Sequence, residues 1–277
     1  MIVHQIYFDF GNVTNESNLE ESKRMLREVE RHLPSDWSYM RWGLVEATRF
    51  LQAHYPCFLP ILDLKTAFPV IKCDFFRYLL MYHFGGVYFD LDFVPTKGMD
   101  RLLADLENKR VLFFPTNKSS PSVVLSEEWE NSVEFSGTLH NGILLSKTEK
   151  HPFWMQLIMQ VYDTLCVRCE LPTSYDEVYK RTGPKFLCAM AKANWDRYTD
   201  LVVLPHFYCC PYVALHKVTK ETVLCAGPGK VPSLETHDWV FFDSTIVPSI
   251  CETCPESYFA CVHMQHGSLW KKRPPLE

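Results

Sequence analysis

Two aspartates near residue 90 carry the clearest chemical signal in the chain. Asp90 and Asp92 stand one residue apart in the run VYFDLDFV over residues 87–94. Its alternation and β-rich composition predict a strand that ends at Pro95. Because residues two apart in a strand point to the same side, we expect two parallel carboxylates. Such hard oxygen donors bind a divalent cation that is also held by phosphates.

An Asp-x-Asp triplet by itself is weak evidence, since roughly one is expected by chance in a chain of this length. The preceding residues strengthen it. A helix is predicted over 74–84, with Asp74 near its N-terminus, where a carboxylate suits the helix dipole. Asp74 and Arg77 are three apart and share one helix face. Gly85-Gly86 ends the helix in the left-handed manner of helix caps and turns the chain back toward the aspartates.

These residue types suit a phosphate-bearing sugar ligand. A carboxylate beside a metal site can accept sugar hydroxyls, and an arginine can bind a phosphate or a sugar hydroxyl. The plainer alternative for Asp74 and Arg77 is a surface ion pair worth a few tenths of a kcal/mol. An EF-hand around Asp90 and Asp92 is excluded, because the glycine and glutamate that its loop requires are missing.

The remaining pattern predicts alternating strands and helices, and therefore an α/β protein. The apolar opening IVHQIYF predicts a first strand, followed by an amphipathic helix over 18–32 and a second helix from about Trp37 to His54. Further helices are predicted near 99–107, 152–168 and 184–196, and further strands at 110–115, 139–146 and 201–204. No segment has the composition of a linker, so we predict a single domain over residues 1–277.

Composition limits the class of function. With 47% hydrophobic and 22% charged residues and a net charge of −5, the chain has the make-up of a globular protein without a broad basic surface for nucleic acid. No apolar run reaches the roughly 18 residues that a membrane span needs. The opening residues do not have the pattern of a signal peptide, so we expect a cytoplasmic protein, or one whose N-terminus has been removed.

Eleven cysteines are many for a cytoplasmic protein. We interpret most of them as reduced and partly buried thiols. Two Cys-x-x-Cys pairs, Cys166/Cys169 and Cys251/Cys254, could instead supply four thiolates to a structural zinc ion. The gap between the pairs is much longer than in a zinc ribbon, and the first pair falls within a predicted helix.

The run DFFRYLLMYHFGGVYFDLDFVP over residues 74–95 resembles the core motif of the DXD-containing sugar-binding glycosyltransferases, the family 32 type. It is also similar to the catalytic domain of the large clostridial glucosylating toxins. Cys73 departs from the pattern, since relatives often have serine there. The motif positions are held here by Asp74, Arg77, Gly85, Gly86, Tyr88, Asp90 and Asp92.

Shorter segments agree with this resemblance in chain order. They are His4-Gln5-Ile6-Tyr7, His140-Asn141-Gly142-Ile143, Thr182-Gly183-Pro184 and the C-terminal stretch from His263 to Trp270. The resemblance implies that Tyr7 lies beside the nucleotide base and that Asn141 contributes to the donor site. It also implies that Ser268 and Trp270 reach the phosphates, and that His263 or His266 reaches the metal, with His263 favoured because it could end a strand.

The resemblance further implies a GT-A type nucleotide-sugar-binding fold, a mixed, mainly parallel central sheet flanked by helices. It implies Mn²⁺ or Mg²⁺ held by Asp90, Asp92 and a C-terminal histidine, with Asp74, Arg77 and Asp92 in catalytic roles. The expected reaction transfers a hexose, with retention of configuration, from a nucleotide sugar to a hydroxyl of a glycan or protein. A UDP-sugar is favoured over a GDP-sugar, and glucose, galactose, N-acetylglucosamine and mannose stay open.

Two other functions remain open at this point. The chain could be a non-catalytic module that binds a sugar nucleotide or glycan on the same fold. It could also be a metal-dependent phosphohydrolase that uses the same carboxylates, although the sequence shows no second cluster of metal ligands.

Overall fold

A computed structural model describes residues 1–8, 33–91, 93–95, 110–115, 139–204, 212–214 and 259–263. Its strands are β1 Ile2–Ile6, β2 Ser38–Trp42, β3 Gly86–Phe89, β4 Phe93–Pro95, β5 Val111–Pro115, β6 Leu139–Ser146, β7 Leu201–Val203, β8 Tyr212–Ala214 and β9 Phe259–His263. Its helices are α1 Leu44–His54, α2 Leu59–Asp63, α3 Val70–His83, α4 Pro152–Tyr162, α5 Tyr175–Arg181 and α6 Pro184–Ala193. A 3₁₀ turn, Pro56–Phe58, precedes α2, and a π turn, Asp163–Val167, extends α4.

Six strands form a central sheet in the order β2-β1-β3-β6-β5-β7. Strand β6 is antiparallel to both of its neighbours, and the other three pairings are parallel. Five strands therefore run in one direction and β6 runs against them. The predicted α/β class, with a mixed and mainly parallel sheet flanked by helices, is confirmed. A smaller sheet in the order β4-β9-β8 stands beside it.

The central helix, α3, packs between the sheet and α4. It begins after Pro69, contains no glycine or proline, and ends where Gly85 takes a left-handed φ of +63°. Nearly every residue of its middle turns is buried. Tyr78 stacks on Trp154 of α4 with ring centroids 6.3 Å apart, and the indole N–H of Trp154 bonds the Ser146 hydroxyl at 3.0 Å. Helix α3 is therefore held from two sides.

Two sequence predictions were wrong in detail. The helix predicted from about Trp37 to His54 begins with a strand, β2, which pairs in parallel with β1, and α1 starts only at Leu44. A free sheet edge supplies β2 with hydrogen bonds that local helix propensity cannot match. The strand predicted over 87–94 stops at Phe89, and β4 joins the other sheet. The helices predicted over 18–32 and 99–107 lie outside the described residues.

The part of the chain that the structure describes holds no candidate transmembrane helix. None of the helices there combines the length and the apolar character that crossing a bilayer requires. The cytoplasmic location stays a prediction.

A buried histidine joins the first strand to the glycine turn after α3. His4 is fully buried, its Nε2 lies 3.2 Å from the carbonyl oxygen of Gly85, and its Nδ1 accepts from the indole N–H of Trp42 at 3.2 Å. This pattern requires a neutral ring that donates through Nε2. Burial lowers the pKa of His4 to about 3, although the bond to Gly85 opposes that shift.

We expect His4 to make the fold sensitive to acid. Its pKa is about 3 in the folded chain against 6.5 ordinarily, so between these values the unfolded chain binds more protons. The free energy of unfolding should therefore fall as pH drops from 6.5 toward 3, by up to about 1.4 kcal/mol per pH unit from this residue. Urea unfolding at pH 7, 6 and 5 should show a shallower slope for His4→Phe than for the wild-type chain. Equal slopes would contradict the assignment.

The second glycine of the turn has no room for a side chain. Gly86 has a φ of +86°, and a Cβ there would overlap the carbonyl oxygen of Ile2. We expect Gly86→Ala to lower the free energy of unfolding by about 1–3 kcal/mol, because both the backbone conformation and the contact become strained. Gly43→Ala is the matched control in urea unfolding, since its Cβ would meet only the flexible Glu46 side chain. A Gly86→Ala chain as stable as the control would disprove this.

Candidate active site

Four elements bring their polar residues to one corner of the fold. Helix α3 contributes Asp74 and Arg77, and Asp90 follows the carboxyl end of β3. Asn141 lies on β6, and Thr182 lies between α5 and α6. Because α3 begins at Val70, Asp74 sits in its second turn, so the expected placement near the helix N-terminus was wrong. Tertiary contacts, and not the helix dipole, hold this carboxylate.

The guanidinium of Arg77 is the centre of the cluster. Its residue is only 3% exposed. Nη2 lies 3.2 Å from Oδ1 of Asp74, and Nη1 lies 3.3 Å from Oδ1 of Asp90. Nη1 also donates to the Asn141 carbonyl at 2.7 Å, and Nε donates to the Cys73 carbonyl at 3.3 Å. The alternative of a solvated surface ion pair is therefore wrong.

Asp74 is held by neutral donors as well as by Arg77. The side-chain amide of Asn141 donates to Oδ1 at 2.9 Å, and the Thr182 hydroxyl donates to Oδ2 at 2.7 Å. Burial raises the pKa of the Asp74 carboxyl, and the Arg77 charge and the two hydrogen bonds work against that rise. The three donors thus all favour the ionised carboxylate in a site that otherwise disfavours charge.

Asp90 has a different environment, because 37% of its side chain is exposed. Its carboxylate accepts from the Tyr88 hydroxyl, and its backbone N–H bonds the Gly142 carbonyl at 2.7 Å. A Cβ on Gly142 would lie 2.5 Å from Oδ2 of Asp90, so a side chain there would displace this carboxylate oxygen. Asp90 follows β3 and Leu91 is in a turn, so the expected strand does not continue through these residues. Asp92 lies outside the described residues.

Neighbouring acidic groups keep the buried Arg77 side chain charged. Burial alone would lower its pKa, but the Asp90 carboxylate, with Tyr88 and Asp74, raises the pKa of Arg77 well above its ordinary value. Burial also raises the pKa of Tyr88, whose ring lies 4.9 Å from the guanidinium carbon. Arg77 is thus a permanent cation, and Tyr88 is a neutral phenol that donates to Asp90.

Tyr7 lies at the same edge of the sheet. It follows β1, and Asp90 follows β3, the parallel neighbour of β1, so both residues come after the carboxyl ends of adjacent strands. In open α/β sheets this edge is where ligands bind. The Arg41 guanidinium lies over the Tyr7 ring, 4.5 Å from its centroid. This placement is compatible with a flat ligand beside Tyr7.

The small sheet places β9 beside β4. The two strands are antiparallel, with Phe93 opposite Cys261, and β4 begins three residues after Asp90. Strand β9 ends at His263, as predicted. His266, Ser268 and Trp270 lie outside the described residues, as does the second Cys-x-x-Cys pair.

The Asp90 carboxylate is a donor that suits a small divalent cation. It lies at a half-open position, and carboxylate oxygens suit Mg²⁺ and Mn²⁺. Within the described ranges no three metal-ligating side chains converge.

Known proteins resemble this chain in its sugar-binding motif and over much of its length. Residues 20–108, which include the whole segment from Asp74 to Asp92, match the profile of the "Glycosyltransferase sugar-binding region containing DXD motif". The chain is 27% identical over 186 residues to inositol phosphoceramide mannosyltransferase 1 of Schizosaccharomyces pombe, covering 67% of this chain and 49% of that protein. It is 25% identical over 250 residues to mannosyl phosphorylinositol ceramide synthase SUR1 of Saccharomyces cerevisiae, covering 85% and 54%. The chain spans about half the length of these curated relatives.

Solved glycosyltransferases have a distant likeness to the fold. The PaToxG glycosyltransferase aligns with a TM-score of 0.40 at 14% identity, covering 72% of each chain. Mouse xyloside xylosyltransferase 1 aligns with a TM-score of 0.44 at 9% identity, covering 82% of this chain and 95% of that one. The sequence matches, together with the buried cluster, confirm the resemblance to the DXD-containing, family 32-like glycosyltransferases.

Two members of the cluster were not among the predicted site residues. Tyr88 and Thr182 stand in segments that the resemblance includes, but their partners could not be read from the sequence. Tyr88 reaches Asp90 only because the chain turns after Phe89. Thr182 reaches Asp74 across 108 positions of sequence. A polar residue inside a matched motif was the only available signal for either.

Removing the Arg77 charge should leave two carboxylates uncompensated. We expect Arg77→Met to lower the free energy of unfolding by about 3–5 kcal/mol, as for other broken buried ion pairs. Arg110→Met is the control, because the Arg110 side chain is 60% exposed and lies 3.8 Å from Asp200. That substitution should cost less than about 1 kcal/mol. Similar losses for both variants in urea unfolding would show that the cluster does not stabilise the fold.

Proposed function

We propose that the chain is a metal-dependent glycosyltransferase with a GT-A type fold, which moves a hexose from a nucleotide sugar to an acceptor hydroxyl. The observation that carries this proposal is the buried Asp74–Arg77–Asp90 cluster, which stands at the carboxyl edge of the parallel strands and inside the matched sugar-binding region. The cluster presents a cation and two carboxylates where a sugar diphosphate needs both.

The described contacts restrict what Arg77 can do. A guanidinium has five N–H donors, and hydrogen bonds to Cys73, Asn141 and Asp90 use three of them. The remaining nitrogen, Nη2, forms an ion pair with Asp74. Arg77 therefore acts mainly by holding both carboxylates, and Nη2 is the nitrogen that can also donate to a phosphate or sugar oxygen. Its charge also favours the negative charge that develops on the leaving diphosphate.

Each of the other site residues contacts a different part of the nucleotide sugar or its cation. Asp74 accepts a donor-sugar hydroxyl with the help of Asn141, and Tyr7 packs against the base. Asp90, Asp92 and His263, or His266 in its place, hold the cation, and Ser268 and Trp270 contact the phosphates. Bound Mn²⁺ or Mg²⁺ would supply positive charge to the leaving diphosphate. No carboxylate is assigned as a nucleophile, so retention would follow from attack on the same face as departure.

The names of the relatives suggest which substrates to test first. One is named an inositol phosphoceramide mannosyltransferase and the other a mannosyl phosphorylinositol ceramide synthase. We propose mannose as the first sugar to test, with UDP and GDP as carriers, and a hydroxyl of a glycan, protein or inositol phosphoceramide headgroup as acceptor. A single domain and a cytoplasmic location are part of this proposal and rest on the sequence.

A donor screen tests the proposal. We expect the purified chain with Mn²⁺ to transfer or hydrolyse at least one of UDP-glucose, UDP-galactose, UDP-N-acetylglucosamine and GDP-mannose. EDTA should abolish turnover, and added Mn²⁺ should restore it. Asp92→Asn should reduce kcat/KM by about a hundredfold or more, because the cation loses a charged ligand. Asp196→Asn, at an exposed position in the turn after α6, should match the wild-type chain.

The products distinguish the alternatives. A nucleoside diphosphate released together with free or transferred sugar supports the glycosyltransferase. Release of inorganic phosphate would indicate a phosphohydrolase. Calorimetric binding of a nucleotide sugar without turnover would indicate a binding module. No turnover with any donor, together with an Asp92→Asn chain that behaves like wild type, would overturn the proposal.

A further inference from the structure

The Asp74 carboxylate has little capacity left for a ligand. Its Oδ1 forms an ion pair with Arg77 Nη2 at 3.2 Å and accepts from Asn141 Nδ2 at 2.9 Å. Its Oδ2 accepts from the Thr182 hydroxyl at 2.7 Å. An ionised carboxylate offers about four lone-pair positions, two on each oxygen. Among the described partners, Arg77 and Asn141 both face Oδ1 and Thr182 takes one position of Oδ2, so Oδ2 keeps its second position.

The Thr182 hydroxyl is committed to Asp74. A hydroxyl has a single hydrogen, and two acceptors lie near this one, Oδ2 of Asp74 at 2.7 Å and the Val178 carbonyl at 3.3 Å. The carboxylate is closer and charged, so it takes the hydrogen. Thr182 is fully buried, so bulk water does not reach this hydroxyl in the folded chain.

The backbone around Thr182 is fixed independently of Asp74. The N–H groups of Thr182 and Gly183 both bond the Val178 carbonyl at 3.0 Å, which ends α5. The Tyr78 hydroxyl donates to the Thr182 carbonyl at 2.7 Å, so α3 holds this corner through a second residue. A Cβ on Gly183 would lie 3.1 Å from the Tyr179 Cα, which shows how closely the corner packs.

We propose that Thr182 is a positioning residue that aims Oδ2 of Asp74, so that the second lone pair of Oδ2 accepts a single hydroxyl of the donor hexose. This inference rests on the proposed function, and it assigns an atom and a specificity to the same site. The Thr182 bond fixes the rotation of the carboxylate, and the rotation fixes where the sugar hydroxyl must lie. A hexose without that hydroxyl leaves a buried lone pair unsatisfied and is rejected.

Three substitutions test the role of the hydroxyl. Thr182→Val keeps the shape and removes the donor, and Thr182→Ser keeps the donor. With the accepted donor sugar, we expect kcat/KM to fall about tenfold to a hundredfold for Thr182→Val and to stay within about threefold for Thr182→Ser. Thr48→Val is the matched control, since the Thr48 hydroxyl bonds only the Leu44 carbonyl of its own helix, at 2.8 Å. It should leave kcat/KM unchanged.

Monodeoxy donor analogues separate positioning from a structural effect. In the wild-type chain, removing the hydroxyl that Asp74 accepts should lower kcat/KM by about a hundredfold or more. In Thr182→Val, removing the same hydroxyl should lower kcat/KM only severalfold relative to the complete donor sugar. Removing any other sugar hydroxyl should lower kcat/KM by the same factor as in the wild-type chain. A merely structural role would lower kcat/KM by one common factor for every analogue. Thr182→Ala supplies the same comparison if Thr182→Val does not fold.

The outcomes separate this inference from the proposed function. If the wild-type chain turns over no nucleotide sugar, the proposed function fails, and the positioning role fails with it. If the wild-type chain is active and Thr182→Val has the wild-type kcat/KM and analogue profile, only the role of Thr182 is overturned. Thr182→Ser as impaired as Thr182→Val would also overturn it, because the hydroxyl would then not be the group that matters.

Discussion

One buried cation organises the site. Arg77 sits between Asp74 and Asp90 with 3% of its surface exposed, and a charge in that position is tolerable only when its donors are matched by acceptors. The matching acceptors come from α3, β6 and the turn after β3. Each of these elements must therefore meet at the guanidinium, and the position of every other polar group in the corner follows from that requirement.

The two carboxylates beside this cation are suited to different tasks. Asp74 is largely buried and is held by the Arg77 charge and by two hydrogen bonds, so its carboxylate keeps one fixed orientation. Asp90 has 37% of its side chain exposed and lies in a turn, next to the segment that leads to Asp92. A partly solvated carboxylate can exchange water for a cation at lower desolvation cost than a buried one.

Backbone constraints place these side chains as much as their own contacts do. The left-handed Gly85-Gly86 turn lets α3 fold directly onto β3, and His4 fastens that turn to the first strand. Strand β6 runs against its neighbours, so Asn141 reaches α3 near the carboxyl ends of the strands that run the other way. A change in any of these features would move an acceptor away from Arg77.

The sequence by itself determined the local parts of this arrangement. The spacing of Asp74 and Arg77, the glycine turn and the strand over 139–146 follow from periodicity and backbone chemistry, which act between near neighbours. Tertiary structure alone decided the rest. Residues 38–42, which were predicted to be helical, form strand β2 because they hydrogen-bond to β1. Strand β3 ends before Asp90, and the next strand, β4, pairs with β9 in the other sheet. Thr182 met Asp74 across 108 residues, because such contacts depend on how the elements pack.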